Sequence, residues 1–106
     1  MSKSEIAAKV LELNELWDKT DKSVIAENVE RYLYVKYPEC AVKWSTKVCT
    51  IAEMTRSKSD AVYAWFNRSR GNVKIPFLKL CSIAVSLDVD IYKLLSESYP
   101  LTDEDM

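Results

Sequence analysis

The sequence predicts an all-α fold, a compact bundle of about five to six short helices, one of them an added N-terminal helix. Three observations carry this expectation. One glycine and three prolines in 106 residues leave too few turn-formers for a β-rich domain of this size. Apolar residues recur at intervals of three and four along almost the whole chain, the spacing of a buried helix face. Polar breaks with Asp or Ser in capping position divide that pattern into short segments.

The first helix is expected from about Ser4 to Trp17. Ser2 and Glu5 stand at capping-box spacing, and Ile6, Val10, Leu13 and Trp17 form one apolar stripe. Asp18 to Lys22 breaks the pattern, with Asp21 or Ser23 capping a second helix that carries Val24, Ile25, Val29, Tyr32 and Leu33 and ends before Pro38. Pro38 to Trp44 reads as an irregular connection laid against the core, with Trp44 at an apolar position. A third helix, capped by Ser45 or Thr46, turns Val48, Ile51 and Ala52 inward and closes at Met54 or Thr55. Four ordinary residues reverse the chain, and a fourth helix over about Lys58 to Asn67 is anchored by Ala61, Val62, Trp65 and Phe66. Two helices joined so briefly, with alanine at the crossing, have the pattern of a helix-turn-helix. A basic loop, Arg68 to Lys74, leads to Pro76 in the first turn of a fifth helix with Phe77, Leu80, Cys81, Ile83, Ala84 and Leu87 on its buried face. Asp90 caps a last helix through Ile91, Leu94 and Leu95. The expected organisation is an extra helix over 1–21, available to a dimer or partner contact, a helix-turn-helix domain over 22–97 and an acidic flexible tail over 98–106.

Composition narrows the function. At 48% hydrophobic and 29% charged residues the chain is an ordinary globule. No apolar run approaches the roughly 20 residues that span a bilayer, and the charged start lacks a signal-peptide core, so no membrane contact and a cytoplasmic location are expected. The chain has no histidine, and Cys40, Cys49 and Cys81 are too widely spaced for a metal site. Buried free thiols, no metal and no cofactor are the expectation. Without histidine, a paired-carboxylate constellation or a phosphate-cradling glycine loop, an enzyme is not expected.

The net charge of −1 conceals a segregation. Residues 43–79 carry eight lysines and arginines against Glu53 and Asp60, while both flanking segments are acidic. A basic middle between acidic ends is an electrostatic footprint for an anionic partner, or else a solvated face with none.

These residues resemble the Cro/repressor, or XRE-type, helix-turn-helix family with its lambda-repressor-like fold. Ile51-Ala52 with Val62 and Trp65 is similar to the family's first half. Leu80 with Ile83-Ala84, Leu87, Val89 and Leu94-Leu95 looks like its second. The likeness covers residues 45 to 95. It departs where the family carries a turn glycine and this chain has Arg56; a left-handed residue there costs on the order of 1 kcal/mol. The resemblance implies a sequence-specific regulator of transcription, a repressor of phage or mobile-element type, binding double-stranded DNA as a homodimer. It places the base-reading slots on Lys58, Ser59, Asp60, Tyr63 and Ala64, where Asp60 either accepts from a cytosine amino group or caps its helix. Lys47, Arg56, Arg68, Arg70 and Lys74 are the phosphate candidates. The alternative is the same fold gripping a protein, as in a phage inhibitor, antitoxin or adaptor, with Trp17 on the N-terminal helix at the partner interface.

Overall fold

A computed structural model describes residues 2–67, 69 and 73–96. Among them the chain forms seven helices and no strand: α1 (Lys3–Lys19), α2 (Lys22–Lys36), α3 (Glu39–Val42), α4 (Trp44–Thr55), α5 (Ser59–Phe66), α6 (Phe77–Leu87) and α7 (Ile91–Leu95). The expected tail over 98–106 lies outside the described residues.

Three helix starts are written in short polar side chains. Ser2 Oγ accepts from the Glu5 amide at 3.2 Å and opens α1. The Asp21 carboxylate accepts from the Ser23 hydroxyl at 2.6 Å and the Ser23 amide at 2.8 Å, opening α2; those bonds hold its pKa below the ordinary value. Asp90 accepts from the Tyr92 amide at 2.9 Å and opens α7.

Two expectations fail between α2 and α4. The stretch after Pro38 is not irregular but forms the one-turn helix α3, because proline at φ −57° is already set for a helix start. This turn tucks Cys40 into the core with 2% of its surface exposed. α4 consequently starts earlier than Ser45, with Trp44 as its first residue, and Trp44 is 42% exposed rather than buried.

The core gathers one face from each helix of the body. Ile25, Val29 and Leu33 of α2, Ile51 of α4, Val62 and Trp65 of α5, Leu80 and Ile83 of α6 and Leu94 of α7 are all buried, together with Ile75 of the connection. Ala61, expected among the anchors of α5, is exposed. The Asn28 amide donates to the Leu94 and Ser96 carbonyls at 3.0 and 2.9 Å, so a buried polar group of α2 satisfies the end of α7. Thr20, which closes α1, has its hydroxyl 2.9 Å from the Leu95 carbonyl. α1 lies outside this core: none of its residues is fully buried, and only Leu13, Leu16 and Trp17 pack against it.

The turn between α4 and α5 depends on Arg56, which adopts the left-handed conformation that the sequence lacks a glycine to supply (φ 52°, ψ 45°). The Arg56 and Ser57 amides both donate to the Ala52 carbonyl, the latter at 3.0 Å, and close a Schellman-type cap. Lys79 of α6 donates to the Thr55 carbonyl at 2.8 Å, satisfying another orphan acceptor at this helix end. Replacing Arg56→Gly is expected to raise the urea midpoint, stabilising the fold by about 0.5–1 kcal/mol through relief of the left-handed strain. Arg56→Val is expected to lower it, because a β-branched residue at positive φ is more strained still.

Candidate nucleic-acid interface

The candidate surface is built by α4, the turn Arg56-Ser57-Lys58, and α5. Val62, Trp65 and Phe66 bury one face of α5, and the helix period then turns Ser59, Asp60 and Tyr63 to solvent; Lys58 is exposed at its start and Ala64 is half-buried. Four of the five expected base-reading residues are therefore exposed on one face. Asp60 does not cap α5. The cap position is Lys58, which makes no side-chain cap bond, while Asp60 stands in the first turn, where a carboxylate meets the positive end of the helix dipole.

Trp44 and Tyr63 meet across the two helices edge to face, with ring centroids 5.4 Å apart at 87°. Beside them a cleft of about 290 Å³ is lined by Trp44, Ser45, Val48 and Cys49 of α4 and by Ser59, Asp60 and Tyr63 of α5. Residue patterning missed Trp44 and Cys49 as surface groups. Cys49 lies on the side of α4 away from the inward stripe of Val48 and Ile51, whereas Trp44 falls on that stripe but stands at the first residue of the helix and stays 42% exposed.

The inward stripe of α4 corrects Lys47. It was expected among the phosphate contacts, yet it shares the inward stripe of Ile51 and Thr55, at intervals of four, and is 2% exposed. Its ammonium pairs with the Glu30 carboxylate of α2 and is enclosed by the rings of Phe66 (4.5 Å), Trp44 (4.7 Å) and Tyr34 (5.5 Å). The Tyr34 hydroxyl donates to the same Glu30 oxygen at 2.9 Å. A buried cation committed to a carboxylate and three ring faces does not reach a phosphate.

The remaining candidates divide. Arg56 is exposed in the turn, and Lys43, which patterning did not single out, is exposed immediately before α4. Lys74 is half-buried, donating to the Asp18 carbonyl at 2.9 Å with its ammonium 4.6 Å over the Trp17 ring. Arg68 and Arg70 lie outside the described residues. Trp17, the expected partner contact, is half-buried. Its indole N–H donates to the Ile75 carbonyl at 2.7 Å and its ring packs on Phe77, so its work is to dock α1 on the body. The apolar residues that α1 leaves uncovered are Ile6 and Val10, each 49% exposed, and Leu11. Of the thiols, Cys40 is buried, Cys81 half-buried and Cys49 exposed, so burial holds for one of the three alone.

The chain matches no protein-family model, no curated protein and no solved structure.

Removing one member of the buried pair is expected to be costly because it strands the other charge. Lys47→Ala or Glu30→Ala should each lower the unfolding free energy by about 3 kcal/mol in urea titration. The double change Lys47→Met with Glu30→Leu should cost much less than the two single losses added together, since it leaves no charge unpaired.

Proposed function

We propose that the chain is a sequence-specific double-stranded DNA-binding protein of the transcription-regulator class, acting as a homodimer through the exposed face of α5. The observation that carries this reading is the division of α5. Val62, Trp65 and Phe66 fasten it to the body, while Ser59, Asp60 and Tyr63, preceded by Lys58, point outward after a three-residue turn. A helix held this way can enter a major groove without disturbing the core. Arg56, Lys58 and Lys43 provide exposed positive charge beside it, and the segment 43–79 stays basic even with Lys47 committed to Glu30. One such helix reads only a few base pairs, which is why two copies are assigned to a two-fold site.

Retention of duplexes recovered from a random pool should fall steeply as salt rises. Lys58→Ala and Arg56→Ala should each weaken binding and lower the slope of log K against log salt by about one. Ser59→Ala should change which sequences are recovered. Failure to retain any duplex at low salt, or retention indifferent to salt, would overturn the proposal.

A second reading has its own observation. Ile6, Val10 and Leu11 leave one end of α1 apolar and uncovered, a surface suited to another chain, whether a protein partner or a second copy. In gel-shift titrations, Ile6→Lys combined with Val10→Lys is expected to turn a cooperative complex into a weaker one with a single copy bound. Unchanged cooperativity would remove α1 from the dimer contact.

A further inference from the structure

The exposed face of α5 is not only polar. Trp44 and Tyr63 stand over the cleft that runs between α4 and α5, with Val48 beneath them and the Ser59 hydroxyl and Asp60 carboxylate at its edge. Trp44 is held from behind: the buried Lys47 ammonium lies 4.7 Å from its ring and is itself fixed by Glu30. The cleft therefore has an aromatic wall, 42% exposed at Trp44 and 46% at Tyr63.

The lining decides what can occupy it. A phosphate in the cleft would lose water against aromatic carbon and face the Asp60 carboxylate, so the backbone of a nucleic acid is excluded from it. The group that matches this lining is apolar, with a hydrogen-bond donor beside it for Asp60 and Ser59. On the major-groove edge of the four standard bases, the one apolar group is the C5 methyl of thymine, and the donors are the amino groups of adenine and cytosine. Exposed Lys43 and Lys58 immediately precede the lining residues Trp44 and Ser59, so positive charge flanks the cleft where the phosphates on either side of such a base would pass.

We infer that the cleft between α4 and α5 is a thymine-methyl receptor, with Trp44 and Tyr63 as specificity-determining residues and Asp60 taking the amino group of an adjoining adenine or cytosine. This rests on the DNA-binding reading and adds a base preference to it: the bound site contains a thymine whose methyl group is required.

Replacing single thymines by uracil in a recovered duplex removes only the methyl. Binding should weaken about threefold to fivefold at one position of each half-site, the loss that goes with one buried methyl group. In Tyr63→Ala, and likewise in Trp44→Ala, binding should be weaker overall and indifferent to uracil at that position. Tyr63→Ala is the safer variant, because Trp44 also touches the buried lysine. Alkylation gives an independent readout. Cys49 lines the cleft and Cys81 sits on α6, so bound duplex should slow Cys49 modification and leave the Cys81 rate unchanged. Duplexes that bind equally well with uracil, or a uracil effect that persists in Tyr63→Ala, would overturn the receptor while leaving DNA binding intact. Recovery of no duplex at all would overturn both.

Discussion

The arrangement of the helix pair depends on one buried charge. Lys47 sits on the inward stripe of α4, where a lysine pays a large desolvation cost unless it is matched. Glu30 of α2 supplies the matching carboxylate, Tyr34 adds a hydroxyl to the same oxygen, and the rings of Phe66, Trp44 and Tyr34 surround the ammonium. These groups come from α2, α4 and α5. Satisfying one cation therefore fixes three helices relative to one another, which greasy contacts alone, being non-directional, do less sharply. A slip of α4 by one residue would swing Lys47 about 100° around the helix and out of the box. The pair is best understood as a device that sets register, since apolar replacement of such pairs is often neutral in stability.

The turn follows from that fixed geometry. With α4 and α5 both tied to α2, the three residues between them must reverse the chain at a set distance, and Arg56 takes the left-handed conformation to do so. Asp88 repeats the solution after α6, at φ 55°, where the Val89 amide donates back to the Ala84 carbonyl at 2.9 Å. In both places the cap bonds offset about 1 kcal/mol of backbone strain on a non-glycine residue. Tertiary packing overrides local preference here.

That override explains which parts of the molecule the sequence made legible. Apart from Ala61, helix periodicity located the buried faces of α2, α4, α5, α6 and α7, and the side chains of Ser2, Asp21 and Asp90 marked the starts of α1, α2 and α7, because capping and spacing are local properties. What went astray was burial over the first turn of α4. Pro38 sets a short extra turn, α4 begins at Trp44, and of two residues three apart on one stripe Lys47 is buried while Trp44, at the helix start, is exposed. A lysine is assigned outward by default, and only the long-range partner Glu30 brings it inside; no local pattern contains that information. Trp17 makes a second long-range contact that no local pattern contains. Its N–H finds the Ile75 carbonyl, 58 positions away.

The two errors move the candidate surface in one direction. It loses a cation and gains an aromatic, so the face around α5 is an apolar cleft with charge at its margins; on the proposed DNA-binding function, base edges would meet its centre and phosphates its rim. The most direct measurement is a map of backbone amide chemical shifts as a recovered duplex is titrated into the labelled protein. The account predicts that the largest changes fall on Trp44, Cys49, Ser59, Asp60 and Tyr63, with α6 and α7 little affected. Changes concentrated on α6 or on the exposed half of α1, with α5 silent, would contradict it.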